Sequence, residues 1–285
     1  MDFWILLCKY LFLGLVQGIS EPIPISSSGH LIIAQHLLGI EVKDLSFEVI
    51  VNTASLIAVI LVYKNQIARL SASTYQYIVK REETKKDDFK LVIYLIIGTI
   101  PAALLGLLFN DFIGENLKST FTVGIALLLT AISLFLIRNI KGTINSQKIG
   151  WKEALLVGLG QSIALIPGVS RSGATVVAGM LTGMNRNTAL MFSFLLYIPV
   201  SLGASILEIP DMFSQNITTD YLIAYAVAFV ASLIGTYFAL KWFIDVMKKG
   251  KLIYFSIYCL FLAIITLFLL KKHPAKRCLA GCFFR

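Results

Sequence analysis

Charge is what this sequence has least of. Only 14% of its 285 residues are Asp, Glu, Lys or Arg, against 57% hydrophobic, and the mean hydropathy is +0.81. Soluble domains carry about a quarter charged residues, so a water-soluble globular fold is excluded and an integral membrane protein is indicated. Acids and bases are also missing inside the apolar runs 47–63, 91–109, 120–137, 189–207, 221–240 and 252–270, with Glu48 at the edge of the first as the exception. Each run is close to the roughly 20 residues that cross a bilayer. Such runs along the whole chain fit an α-helical bundle and exclude a barrel of short alternating strands. The first 19 residues lack a basic stretch ahead of their apolar run and a small-residue cleavage site after it. They read as membrane-embedded chain, not as a cleavable signal.

Cysteine is scarce as well. Cys8 and Cys259 fall in apolar segments and read as small packing residues. Cys278 and Cys282 give no zinc-ligand pattern.

What charge there is sums to +9, and its placement matters more than its sum. Lys64, Arg69, Lys80, Arg81, Lys85, Lys86 and Lys90 crowd one connection, Arg138, Lys141 and Lys148 a second, and Lys241, Lys248, Lys249 and Lys251 a third. The connections between them, 110–119 and 208–220, hold Lys118 against Asp111, Glu115, Glu208, Asp211 and Asp220. This alternation places the basic connections in the cytoplasm. It makes membrane lipids, and not nucleic acid, the partner of the positive charge. The basic tail 271–285 falls on the outer side by this count and runs against it.

Two regions do not read as simple spans. In 1–38 an apolar run is broken by "EPIPISSSGH" at residues 21 to 30, and in 151–184 another is broken by "ALIPGVSRSGAT" at residues 164 to 175. Each half is short for a crossing, so each region is expected to form a re-entrant hairpin, its irregular tip buried in protein or reached by water. The regions match each other at a constant offset of 144 residues: Gly14 with Gly158, Gln17 with Gln161, Ser26 with Ser170, Ser28 with Ser172, Gly29 with Gly173 and Gly39 with Gly183. The expected architecture is therefore an all-α polytopic membrane protein built as an internal duplication. Unit one is about residues 1–140 and unit two about 150–271, followed by a short tail 272–285 within a single membrane domain. Each unit is a hairpin plus three transmembrane helices, giving six full spans and two re-entrant hairpins. Three crossings per unit turn the second upside down, an inverted repeat whose two tips meet near the midplane.

Together the tips offer Gln17, Glu21, Ser26, Ser27, Ser28 and His30 from one side and Gln161, Ser170, Arg171, Ser172 and Thr175 from the other. Helices starting near Gly29 and Gly173 would aim two positive ends at one place. Arg171 adds a planar fork suited to phosphate oxygens. The combination reads as a phosphate site. Glu21 and His30 are available for acid–base work or for holding a divalent ion, and a serine beside them could attack phosphorus. Plainer roles stand beside these. The serines and Pro24 cap and turn broken helices, and Glu21 and His30 pair with each other or with Arg171. His36 reads as packing, Lys9 as snorkelling to the interface, and Glu153 as favouring a helix N-terminus. Glu48 and Asn52, sharing a helix face, are candidates for a supporting shell.

"QGISEPIPISSSGH" and "PGVSRSGAT" resemble the two signatures of the bacterial undecaprenyl-pyrophosphate phosphatases, the BacA-type bacitracin-resistance proteins. The resemblance runs along most of the chain and leaves out only the tail after Lys271. It implies hydrolysis of a polyprenyl diphosphate lipid to the monophosphate and inorganic phosphate, recycling the carrier for cell-wall precursors. The first signature carries over to Gln17, Glu21, Ser26, Ser27, Gly29 and His30, and the second to Pro167, Gly168, Ser170, Arg171, Ser172, Gly173 and Thr175. Many members have glutamate where this chain has Gln17, so Glu21 carries more of any metal-binding role.

The expected machinery is then Ser27, Glu21, His30 and Arg171. Substrate contacts are expected from Ser26, Ser28, Gly29, Gly168, Ser170, Ser172, Gly173 and Thr175. A divalent cation, Mg2+ or Ca2+, is expected near Glu21 and Gln17. Ser27 as nucleophile competes with His30 and with direct attack by water. The implied setting is the bacterial plasma membrane, with the site open to the extracytoplasmic side and a homodimer as a further partner state. The rival reading is a transporter or flippase of an anionic polyprenyl lipid, because inverted repeats with broken helices also build transporters; a channel or binding role stands third.

Overall fold

The computed structural model describes residues 3–40, 45–116, 119–213 and 218–268; Cys278, Cys282 and the tail 272–285 lie outside them. Ten α-helices follow one another among the described residues: α1 (Phe3–Ser20), α2 (Ser27–Leu38), α3 (Leu45–Lys80), α4 (Lys86–Asn116), α5 (Thr120–Ile137), α6 (Trp151–Ile163), α7 (Arg171–Leu181), α8 (Arg186–Phe213), α9 (Thr219–Lys248) and α10 (Ile253–Phe268). The expected all-α membrane protein is borne out: six of these helices are long and apolar enough to cross a membrane.

They are not quite the expected six. Helix α1 is an uninterrupted 18-residue helix of spanning apolarity, where the sequence suggested one arm of a hairpin. The break at Glu21 leaves a whole helix before it, about 27 Å long. Helix α10 covers the run 252–270 from Ile253 to Phe268, and the last two residues of that run lie outside the described residues. Helix α3 continues to Lys80, so Lys64 and Arg69 sit on helix and not in a loop. Residues 64–80 contain no Gly or Pro to stop it, and 36 residues make about 54 Å, well beyond the hydrocarbon thickness.

Both breaks are built alike. Helix α1 stops at Ser20, five residues turn, and Ser26 caps α2 by accepting a hydrogen bond from the Gly29 amide. Helix α6 stops at Ile163, and Ser170 caps α7 by accepting from the Gly173 amide. Glu153 accepts from the Gly150 amide at the start of α6, the helix-end role its position suggested. Lys9 donates to the Leu38 carbonyl at the C-terminus of α2, so it closes a helix end instead of snorkelling.

The packing follows the 144-residue match in the sequence. Helix α1 lies along α9 as its counterpart α6 lies along α4, while α3 packs on α8 and α5 on α10, which are pairs of counterparts themselves. The two matched glycines explain the first exchange. A Cβ on Gly14 would collide with the Ala228 carbonyl of α9, and one on Gly158 with the Gly98 carbonyl of α4. Without a hydrophobic drive between helices in lipid, close backbone approach at small residues is a main source of attraction. Gly158→Ala is therefore expected to destabilise the detergent-solubilised protein by about 1–3 kcal/mol. Gly203→Ala, on α8 with no atom near the added methyl, should change nothing or raise stability slightly. Thermal unfolding of the two variants side by side is the check, and equal melting temperatures would discard the packing account.

Candidate active site

The two turns between paired helices are tied to each other, not merely adjacent. The Ser28 hydroxyl accepts from the Gly168 amide of the opposite turn at 3.2 Å, and the Ser172 hydroxyl donates to the Ile23 carbonyl at 3.2 Å. Ser28 and Ser172 are repeat counterparts, so the ties are reciprocal. Four of the expected substrate contacts thus have structural work: Ser28 and Ser172 join the tips, and Ser26 and Ser170 cap helices. The Gly29 and Gly173 amides are engaged by those caps. Gly168, at φ 95°, needs its missing side chain, since a Cβ would meet Val123 and Ala126 of α5.

At the centre stands the carboxylate of Glu21, in the turn just after α1, its side chain only 8% exposed. One oxygen is ion-paired to the Arg171 guanidinium. The other accepts from the Ser27 hydroxyl at 2.5 Å and from the Gln17 side-chain amide at 2.9 Å. Gln17 is one helical turn before Glu21, which brings the amide onto the carboxylate. Ser27 opens α2 and Arg171 opens α7, so both also sit at positive helix ends, two residues earlier than the glycines suggested. Ser27 and Arg171 are themselves counterparts at the 144-residue offset. At these matched positions one side carries a hydroxyl and the other a cation.

A second difference adjoins it. Ser26 holds φ 71°, a left-handed conformation rare for serine, whereas its counterpart Ser170 has φ −72°. Such strain costs about 1–3 kcal/mol and gathers where geometry is functional. Here it falls on the residue before Ser27. Gln161, the counterpart of Gln17, is buried, and neither of its amide atoms has a hydrogen-bond partner among the described residues. Where unit one places Glu21, unit two has Leu165. The carboxylate that would satisfy the amide is gone.

His30 is close by but turned elsewhere. Its Nδ1 lies 2.7 Å from the Ser26 carbonyl, which can only accept, so Nδ1 carries the proton. Its Nε2 meets the Tyr258 hydroxyl of α10 at 2.7 Å, with the two rings nearly parallel. Both ring nitrogens are engaged, and the Ser27 hydroxyl points to Glu21. Thr175 is buried, bonded to the Arg171 carbonyl at 2.9 Å and to Ser193 at 2.5 Å.

Arg171 is held by residues that the sequence reading passed over. Its guanidinium donates to the Ser201 hydroxyl at 2.8 Å and lies over the Tyr197 ring, 3.7 Å from the centroid. Tyr197 in turn donates to the Asn52 side-chain oxygen at 2.9 Å. Of the two supporting candidates, Asn52 thus reaches the site through Tyr197. Tyr197 and Ser201 are one turn apart on α8, and that spacing of hydroxyls inside an apolar run was the available signal. A small cavity opens beside the pair, lined by Glu21, Pro22, Arg171, Ser172, Thr175, Phe194 and Tyr197.

Chemically, a serine hydroxyl donated to a carboxylate is a nucleophile with a base in place, and a guanidinium with unused N–H groups beside it is an anion clamp. Among the described residues no three His, Cys, Asp or Glu side chains come together. Gln17 turns its amide nitrogen to Glu21, so of the two expected ligands the Glu21 carboxylate is the oxygen donor set at the centre, and its chemistry fits a hard divalent cation of the kind that takes one carboxylate, water and substrate phosphate.

The sequence profile of the family described as bacitracin resistance protein BacA matches residues 10–265. The chain is 53% identical to undecaprenyl-diphosphatase 1 of Bacillus cereus over 262 residues, covering 92% of this chain and 97% of that protein. It is 50% identical to undecaprenyl-diphosphatase 1 of Bacillus licheniformis over 268 residues, 94% and 99% of the two chains. Against undecaprenyl-diphosphatase of Oceanobacillus iheyensis it is 50% identical over 273 residues, 94% and 98%.

Proposed function

The chain belongs to the BacA family of bacitracin resistance proteins, and on that footing we propose that it hydrolyses undecaprenyl diphosphate to undecaprenyl phosphate and inorganic phosphate. It is a multi-pass membrane protein and acts as a phosphatase. The observation that carries the reading is the Glu21 carboxylate between Arg171 on one oxygen and the Ser27 hydroxyl on the other. An anion carrier has use for Arg171 but none for a serine aimed at a base.

In the reaction, the Ser27 oxygen adds to the terminal phosphorus as its proton passes to Glu21. The bond from that phosphorus to the bridging oxygen breaks, and undecaprenyl phosphate leaves with the bridging oxygen and the bonding electrons. Water then attacks the phosphoserine. One water hydrogen stays on the released phosphate, the other is lost to solvent, and Glu21 returns its proton to Ser27. Arg171 turns its remaining donors to the phosphoryl oxygens, where clamping and charge neutralisation supply most of the acceleration. The engagement of both His30 nitrogens favours Ser27 over His30 as nucleophile and Glu21 over His30 as the first proton acceptor. Glu21 and Gln17 would hold a divalent cation, Mg2+ or Ca2+, which when bound neutralises charge on the diphosphate.

The repeat and its exchanged contacts support an inverted pair of units, each opening with a re-entrant hairpin, α1–α2 and α6–α7. The basic connections support a cytoplasmic side for residues 64–90, 138–148 and 241–251. A site open to the outer face of the bacterial plasma membrane follows, since the diphosphate head group of a spent carrier is exposed there.

The test is phosphate release from undecaprenyl diphosphate by detergent-solubilised protein supplied with Mg2+ or Ca2+. Detergent removes any transmembrane gradient, so turnover under these conditions supports the hydrolase. Folded protein that binds the diphosphate and leaves it intact would hand the reading to a flippase.

A further inference from the structure

Arg171 faces a conflict of use. Both of its terminal nitrogens already donate, to Glu21 and to Ser201, and a diphosphate that takes the remaining donors competes for those same edges. Phosphate oxygens take N–H donors, so contacts along the edge weaken as substrate binds. A contact to the flat face of the guanidinium uses no N–H group and survives with all five donors turned to the ligand. The Tyr197 ring provides that contact.

We propose that Tyr197, anchored by Asn52, is the positioning residue that holds the Arg171 guanidinium in the plane required to clamp the diphosphate. This rests on the phosphatase reading above. The ring is well placed for the role. Tyr197 is 4% exposed, and a desolvated aromatic face holds a cation more strongly than one in water. Its hydroxyl is fixed at 2.9 Å from the Asn52 side chain and 3.2 Å from the Asn52 carbonyl. Asn52 and Tyr197 stand 145 residues apart, as do Leu45 and Leu190, and Phe47 and Phe192, so the anchor joins corresponding places on the counterpart helices α3 and α8. The guanidinium of α7 therefore rests on a platform built across the two units and not on α7 itself.

Replacement of the face should cost activity, and replacement of the hydroxyl should cost little. Tyr197→Leu is expected to lower kcat/KM for phosphate release roughly 30-fold, Tyr197→Phe and Asn52→Ala by no more than about 3-fold. In an Arg171→Ala background, Tyr197→Leu should remove less than about 2-fold further, because a positioning residue has nothing left to position. Titration of inorganic diphosphate into the same proteins, which needs no turnover, should weaken in the same order. Loss in Tyr197→Phe equal to that in Tyr197→Leu would overturn the proposal, as would a Leu penalty that is unchanged without Arg171. Thermal unfolding identifies a Leu variant that fails to fold, in which case Tyr197→Met, which also removes the aromatic face while keeping an apolar side chain of similar length, carries the same comparison with Tyr197→Phe. Native protein that releases no phosphate sinks the phosphatase reading, and the diphosphate titration then judges Tyr197 alone.

Discussion

Glu21→Gln should lower kcat for phosphate release by about 1,000-fold or more while the protein stays folded. The amide matches the carboxylate in size and can still accept a hydrogen bond from Ser27. It cannot take the proton, and it leaves Arg171 without its counter-charge. Ser27→Ala should lose a similar factor, and the double variant should lose little more than either alone, because groups that act as one unit are not additive. Steady-state kinetics on the four proteins, with thermal unfolding as the folding control, decides it. A Glu21→Gln enzyme retaining a tenth of native kcat would remove Glu21 as base. His30→Ala falling well below Ser27→Ala would return the nucleophile to His30.

Arg171 should show two separate penalties. Arg171→Lys keeps the charge but loses the planar fork and the flat face over Tyr197, so kcat/KM is expected to fall about 100-fold. Arg171→Ala should fall further and also lose stability, because it strands the Glu21 carboxylate at 8% exposure. Breaking a buried pair costs about 3–5 kcal/mol; with Arg171 at 24% exposure, about 2 kcal/mol is the better expectation. Removing both partners, as in Glu21→Leu with Arg171→Met, should recover much of that stability while remaining inactive. If the double variant is no more stable than Arg171→Ala, the stability argument fails. Lysine at native activity would mean that a point charge suffices and that fork geometry has no part.

The sequence by itself determined the class of the molecule and the neighbourhood of its chemistry. Scarce charge and long acid-free runs leave helices in a bilayer as the workable solution, since unpaired backbone groups cannot face lipid. The 144-residue offset brought "SEPIPISSSGH" and "PGVSRSGAT" to one place without any structure. It also matches Ser27 with Arg171, whose side chains the structure sets on either side of Glu21. The helix-end role of Glu153 was legible because capping depends on residues three apart.

What tertiary structure decided is which atom meets which. Nothing local distinguishes a serine that caps a helix from one that donates to a carboxylate. Ser26, Ser27 and Ser28 differ in role only because the Gly29 amide, the Glu21 carboxylate and the Gly168 amide lie in three different directions. His30 looked like a partner for Ser27, yet the Ser26 carbonyl and Tyr258, 228 residues away, claim both its nitrogens. Tyr197 and Ser201 lie in an apolar run where a hydroxyl every turn marks a polar stripe but does not say what meets it, because the guanidinium arrives on another helix. Composition and periodicity report how each segment meets lipid or protein. Hydrogen-bond partners are chosen by direction over a few ångströms, and direction exists only once α2, α3, α7, α8 and α10 have packed.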